Sequence, residues 1–156
     1  MICNSTPIIF LAKINQLVLL KNLFREVTIP ESVKNEVLIE NKPDYLIIKN
    51  ALESGWIKIS KPKKEVDYGI GKGENSAINL ALENKGTIIL DDSSAVKVAK
   101  AFNIKYIRTT TLIFLALQKG IIKRQEAIIL INLLIENGYY IKPSIYADIL
   151  NNLNKF

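Results

Sequence analysis

Short runs of β-branched and aliphatic residues, Val27-Thr28-Ile29, Ile88-Ile89-Leu90 and Ile104-Lys105-Tyr106-Ile107, are separated along this chain by longer stretches with helical periodicity. Strands that short and that apolar suit a sheet covered on both faces, and parallel neighbours need a helix-sized connection between them. The alternation predicts an α/β fold in three layers, a central mostly parallel sheet flanked by helices. No internal repeat, low-complexity tract or linker divides the sequence, so its 156 residues are expected to form a single domain over 1–156.

The order of elements follows from local signals. Met1 to Cys3 is too short to read as a strand by periodicity, but Asn4-Ser5-Thr6-Pro7 is a helix start, with Ser5 or Thr6 as cap and Pro7 in the first turn. The helical pattern continues to Phe24 with a break near Asn15. Pro30 opens a helix carrying Val33, Glu36 and Val37, and Asn41-Lys42-Pro43 starts another with Leu46, Ile47, Ala51 and Leu52 as its buried stripe. Gly55 stops that helix, and Trp56 to Ile59 reads as an outer strand. Lys61 to Lys72 is the longest irregular stretch and a natural lid, or else a solvated connector. Gly73-Glu74 opens a strong helix to Lys85-Gly86. Further helices are expected over Ser93 to Ala101, from Thr109 to Lys119-Gly120, over Gln125 to Glu136, and from Pro143 toward Leu153.

Within this frame one junction stands out. The apolar run Ile88 to Leu90 ends in Asp91 and Asp92, immediately before a helix. Ligands of open α/β sheets sit beyond the carboxyl ends of the strands, so acids at such a junction are well placed for chemistry. Asn4, at the end of the first strand, can meet them in one crevice, while Glu36 and Glu74 come from helices that overhang it. Several carboxylates in one place raise one another's pKa unless a cation neutralises them, which makes a divalent metal the simplest remedy.

Composition narrows the chemistry further. The chain has no histidine, which excludes Ser-His and Cys-His catalysis and His-ligated zinc, and one cysteine, Cys3, cannot build a thiolate zinc site or an internal disulfide. Hydrolytic chemistry here has to run on carboxylates with a hard, oxygen-loving ion. The net charge of +6 suits a polyanionic partner. The reducing environment implied by a lone cysteine, and the lack of a signal-peptide pattern or a bilayer-length apolar run, lead to the expectation of a soluble, cytoplasmic protein with no membrane partner.

Five segments together carry a resemblance: CNSTPIIFLAKINQLVLLKNLF, IPESVKNEV, GKGENSAINLAL, IILDDSSAVKVAKAF, and the Thr-rich turn whose helix ends in QKG. In this order they resemble the PIN-domain superfamily, and within it the branch of predicted nucleic-acid-binding proteins that includes toxin ribonucleases of toxin–antitoxin pairs. The resemblance implies a ribonuclease dependent on Mg²⁺ or Mn²⁺, with Asn4, Glu36, Glu74, Asp91 and Asp92 as its site. It also implies RNA as substrate, a small antitoxin as partner and a homodimer. Asp92 and Glu74 are the main expected metal ligands, Asp91 a ligand or partner of the attacking water, and Glu36 an outer carboxylate or ligand of a second ion. Asn4 would be a neutral ligand or water-positioning group. Lys72, Lys97, Arg108 and Thr109 are candidates for RNA contacts, with Ser93 a further one.

The chain departs from the family pattern in three places. Asn4 stands where PIN nucleases typically have Asp, Val96 where an Arg usually follows the paired acids, and Arg108-Thr109-Thr110-Thr111 where the family often has Gly-Thr-x-Gly. A non-cleaving module that binds RNA or a protein partner is therefore the alternative. A receiver-like or phosphatase-like domain would also place paired Asp near a strand end, but the supporting residues such a site needs are not found. Plainer roles stand beside each candidate. Asn4 is equally a turn or cap residue, Glu74 complements a helix dipole, one of Asp91 and Asp92 is expected to cap the helix after it, and the lysines form a solvated face. Trp56 and the Tyr139-Tyr140 pair read as core or interface.

Overall fold

A computed structural model describes residues 1–155. Five parallel strands form one sheet in the order β3-β2-β1-β4-β5, with β1 Ile2–Cys3, β2 Val27–Pro30, β3 Ile57–Ser60, β4 Ile88–Ile89 and β5 Tyr106–Ile107. The two-residue β1, invisible to periodicity, is the central strand. Ile2 pairs with both Thr28 and Ile88, and Cys3 with Ile89. Successive side chains of a strand point to opposite faces, and the core divides accordingly. Cys3 and Ile89 join one apolar cluster, whereas Ile2, Ile88 and Leu90 join the other.

The smaller cluster is covered by α5 Lys72–Glu83 and α6 Ser93–Ala101. The larger one takes α1 Ser5–Lys13, α2 Val18–Phe24, α3 Glu31–Val37, α4 Tyr45–Glu53, α7 Thr109–Gln118, α8 Arg124–Glu136 and α9 Pro143–Leu153. This is the expected three-layer α/β arrangement, with every described strand parallel to its neighbours. The break between α1 and α2 falls where anticipated, and Asn15 takes a left-handed φ of 55° to make it. Among the described residues no helix is long and apolar enough to cross a membrane.

Two local expectations change. Helix α4 buries Ile48 and Ala51, while Leu46 is 65% exposed. The apolar residues Leu46, Ile47 and Ile48 are consecutive, so sequence leaves the helix phase open and tertiary packing chooses Ile48, one turn before Ala51. The stretch 61–71 is also not a free lid. Asn79 accepts from the Val66 backbone N–H at 3.1 Å and donates to its carbonyl at 2.8 Å, while Asn75 accepts from the Tyr68 N–H at 2.9 Å. Two asparagines four residues apart on α5 thus give the loop the hydrogen bonds a neighbouring strand would otherwise supply.

The strand order reverses direction at β1. The chain moves to β2 and β3 on one side and returns to β4 and β5 on the other. Such a switch point leaves a crevice between the carboxyl ends of the two strands flanking it, here β1 and β4. Asn4 follows the end of β1 directly, and Asp91 follows that of β4 after Leu90.

Candidate functional site

Asn4 occupies the N-cap position of α1, yet its side chain makes no capping hydrogen bond. It is wholly buried and turns across the crevice, donating from Nδ2 to Glu74 Oε1 at 3.1 Å. Its Oδ1 is buried without a partner. A buried carbonyl oxygen left unpaired is costly, and such an atom in a polar crevice is positioned for a ligand. The cap reading of Asn4 therefore gives way to a contact between the first strand and the first turn of α5.

Glu74 sits in that first turn, where the helix dipole favours a carboxylate. The dipole and the Asn4 amide both hold it, so the structural and site readings of Glu74 coexist. Glycines make room for the acids here. A Cβ on Gly71 would overlap Glu74 Oε2, and one on Gly73 would lie 2.5 Å from both carboxylate oxygens of Glu36. Glu36 thus reaches the start of α5 beside Glu74, but it does not line the main cavity.

The two aspartates have different tasks. Asp92 is the N-cap of α6, and its Oδ1 accepts from the Ala95 N–H at 2.8 Å, which leaves Oδ2 uncommitted. Asp91 is the polar hub of the strand end. It accepts from the Thr109 N–H at 3.0 Å, from Thr109 Oγ1 at 2.5 Å and from the Tyr139 hydroxyl, and Arg108 donates to its backbone carbonyl at 2.8 Å. These side-chain bonds use about three of the roughly four acceptor positions of a carboxylate, fixing its orientation and leaving about one toward the cavity.

Glu74, Asp91 and Asp92 line one cavity of about 720 Å³, together with Thr6, Ser93 and Arg108. Among the described residues no three acidic, cysteine or histidine side chains converge on a single point. The donor set is nonetheless all oxygen, it includes the unpartnered Asn4 Oδ1, and Mg²⁺ is commonly held by one or two carboxylates while keeping several waters. The residues fit a hard divalent ion bound partly through water and substrate.

The candidate RNA contacts separate. Arg108 lines the cavity, whereas Lys72 lies on a separate depression with Pro30 and Lys61, and Lys97 is exposed on α6 and lines neither. Thr109 is fully buried and spends its N–H and hydroxyl on Asp91, so it positions that acid and presents no surface to RNA. Cys3 is buried beneath the site. Burial pushes its thiol well above the usual range, and the Asp91 charge adds to this, which leaves it unreactive.

Tyr139 is the residue that sequence reasoning missed. It reads as core, and it is buried, with its ring edge-on to Phe10 at 5.2 Å. Its hydroxyl, however, holds Asp91 from 48 residues away, a pairing with no local signature. Burial, then the Asp91 charge and hydrogen bond, push this phenol far above its ordinary value of 10.0. A raised pKa favours the protonated form in the folded state. The stability it contributes is complete below the ordinary value and declines as pH rises above it. At neutral pH Tyr139→Phe is expected to cost about 1.5–3 kcal/mol for a hydrogen bond to a charged group. Above about pH 10 that deficit should shrink by about 1.4 kcal/mol per pH unit, because the native wild type alone keeps a proton that its unfolded chain has lost. Urea denaturation of both proteins on either side of that pH measures it, and a deficit constant across the range would refute the assignment.

A family model described as "DUF3368: PIN domain" matches residues 1–155. No curated protein gives a significant match.

Proposed function

The chain belongs to the PIN-domain family, and from that premise we propose that it is a metal-dependent endoribonuclease working in the crevice between β1 and β4. PIN domains are typically nucleases that use divalent metals. The observation that carries the finer reading is the buried, unpartnered Oδ1 of Asn4, whose amide holds Glu74, the acid that lines one cavity with Asp91 and Asp92.

Asn4 Oδ1, Glu74, Asp92 Oδ2 and the one acceptor position left on Asp91 would hold Mg²⁺ or Mn²⁺. The ion, when bound, acidifies a water and stabilises negative charge on the phosphoryl oxygens. The protein's own groups do the remainder. Asp92 Oδ2, left uncommitted by Ala95, has lone pairs for both the ion and the water that attacks phosphorus, whose proton it takes as the bond to the leaving ribose oxygen breaks. Arg108, anchored on the Asp91 carbonyl, has further N–H groups for the phosphate. Asn4 holds Glu74 in place, and Thr109 and Tyr139 hold Asp91. Glu36, at the start of α5, adds negative potential from outside the cavity.

The resemblance of the five sequence segments to the toxin branch supports a role as the toxin of a toxin–antitoxin pair, with a small antitoxin and a second copy of this chain as partners. A short reading frame adjacent on the same strand would favour it. A second reading, a module that binds RNA or a protein without cleaving, is favoured by the neutral Asn4 and by the lack of a three-acid convergence among the described residues. Incubating the purified protein with single-stranded RNA and a Mn²⁺ titration decides between them. The nuclease reading expects metal-dependent cleavage, reduced by about 10²-fold or more in Glu74→Gln and Asp92→Asn. RNA left intact by the wild type at every Mn²⁺ concentration would leave the binding module standing.

A further inference from the structure

Tyr139 and Tyr140 are adjacent in sequence and opposite in environment. Tyr139 is 7% exposed, whereas Tyr140 is 79% exposed and lines the same cavity as Glu74, Asp91 and Asp92. The Asn137-Gly138 turn sets this up. Gly138 takes a φ of 92°, a left-handed conformation that ends α8, and the chain then passes over the cavity before α9. The hydroxyl of Tyr139 goes inward to Asp91, and the side chain of Tyr140 stays exposed.

The groups that line the cavity with Tyr140 are chemically mixed. Its lining joins the acids Glu74, Asp91 and Asp92 to the apolar Phe10, Ile141 and Ile145 and to the cations Arg108 and Lys142. An unpaired nucleotide presents a matching mix, a phosphate for the polar groups and cations and a flat base for the apolar ones. Resting on the ribonuclease reading above, we propose that Tyr140 is a substrate-positioning residue, a platform on which an unpaired RNA base stacks while Lys142 meets a neighbouring phosphate. The ring is open to a partner, and its face accepts any base without hydrogen-bond readout, which predicts broad base tolerance. A base inside a duplex does not expose that face, so double-stranded RNA is excluded from the platform. Charge favours RNA over a protein surface as occupant: two cations, Arg108 and Lys142, line the cavity with Tyr140, and the chain carries a net charge of +6.

The test is equilibrium binding by fluorescence anisotropy, at low salt with divalent ions chelated. The full-length protein meets three labelled ligands: a short single strand of mixed sequence, the same strand with abasic sites, and a duplex. Tyr140→Ala is expected to weaken binding of the intact strand by roughly 5- to 150-fold, the value of about 1–3 kcal/mol for one stacked base. Tyr140→Phe should keep wild-type affinity because the ring face, not the hydroxyl, does the work. The abasic strand should bind wild type and Tyr140→Ala alike. Lys142→Ala should lower the salt dependence by about one counterion for every strand. Equal binding of the intact strand by wild type and Tyr140→Ala overturns the proposal, as does an equal loss with the abasic strand. So does a wild type that binds no strand but self-associates through Tyr140. In each of these cases the cleavage assay with Glu74→Gln still judges the nuclease reading on its own.

Discussion

Asp91→Asn is expected to lose cleavage while keeping its fold, and Asp91→Ala to lose both. In the native chain Asp91 Oδ1 accepts from the Thr109 N–H and the Tyr139 hydroxyl, and Oδ2 accepts from Thr109 Oγ1. Asparagine preserves this geometry. Its oxygen takes the Oδ1 place, and its NH₂ donates to the Thr109 hydroxyl, which can reverse its role. What disappears is the charge, so each bond falls from a charge-assisted to a neutral one, at a total of about 1–3 kcal/mol. Removing one negative ligand from the ion and one oriented charge from the transition state should cost about 10²–10³ in rate. Alanine instead strands the buried Thr109 N–H and two hydroxyls, at about 1–3 kcal/mol each. Urea midpoints and Mn²⁺-dependent cleavage rates measured on both variants separate the two tasks. A fully active Asp91→Asn would reduce Asp91 to a structural hub.

The second large effect is expected from Asn4→Asp. In the ion-free protein this substitution puts a second carboxylate, fully buried, against Glu74 Oε1, where the Asn4 amide now donates at 3.1 Å. The hydrogen bond becomes a repulsion, and one of the two acids must be protonated or the fold must loosen. A destabilisation of about 3–5 kcal/mol is expected, the scale for an uncompensated buried charge. A divalent ion removes the repulsion. Mn²⁺ at about 100 times its Kd should restore about 2.7 kcal/mol, with a larger increase in melting temperature than in the wild type. Melting curves of both proteins across a Mn²⁺ series test this. An Asn4→Asp protein whose stability ignores Mn²⁺ would show that the crevice does not hold a cation, and the metal-dependent reading would fall with it.

Much of this was legible from local chemistry. Helix α6 begins and ends where the sequence places it, because Asp92 is a good N-cap and Ala95, Val96 and Ala99 repeat at helical spacing. The apolar run of β4 followed by two acids pointed to the crevice without any contact information. Other features could not be read. The phase of α4 was lost in three consecutive apolar residues, and the loop over 61–71 looked free because its partners, Asn75 and Asn79, look like ordinary exposed helix residues. Thr109 looked like an RNA contact because a hydroxyl after a strand gives no hint of whether it faces water or a buried acid.

The sequence by itself determined the alternation of strands and helices, the acid pair at a strand end, and the exclusion of histidine and thiolate chemistry. Those are consequences of side-chain period and residue type, which act between near neighbours in the chain. Only the tertiary structure decided which acid caps a helix and which is locked in place, that Asn4 reaches Glu74, and that Tyr139 turns inward while Tyr140 stays open. These contacts span 70 residues for Asn4 and Glu74 and 48 for Tyr139 and Asp91. Their geometry is set by where the sheet reverses direction and by the demand that each buried polar atom find a partner, conditions that exist only once the whole chain has packed.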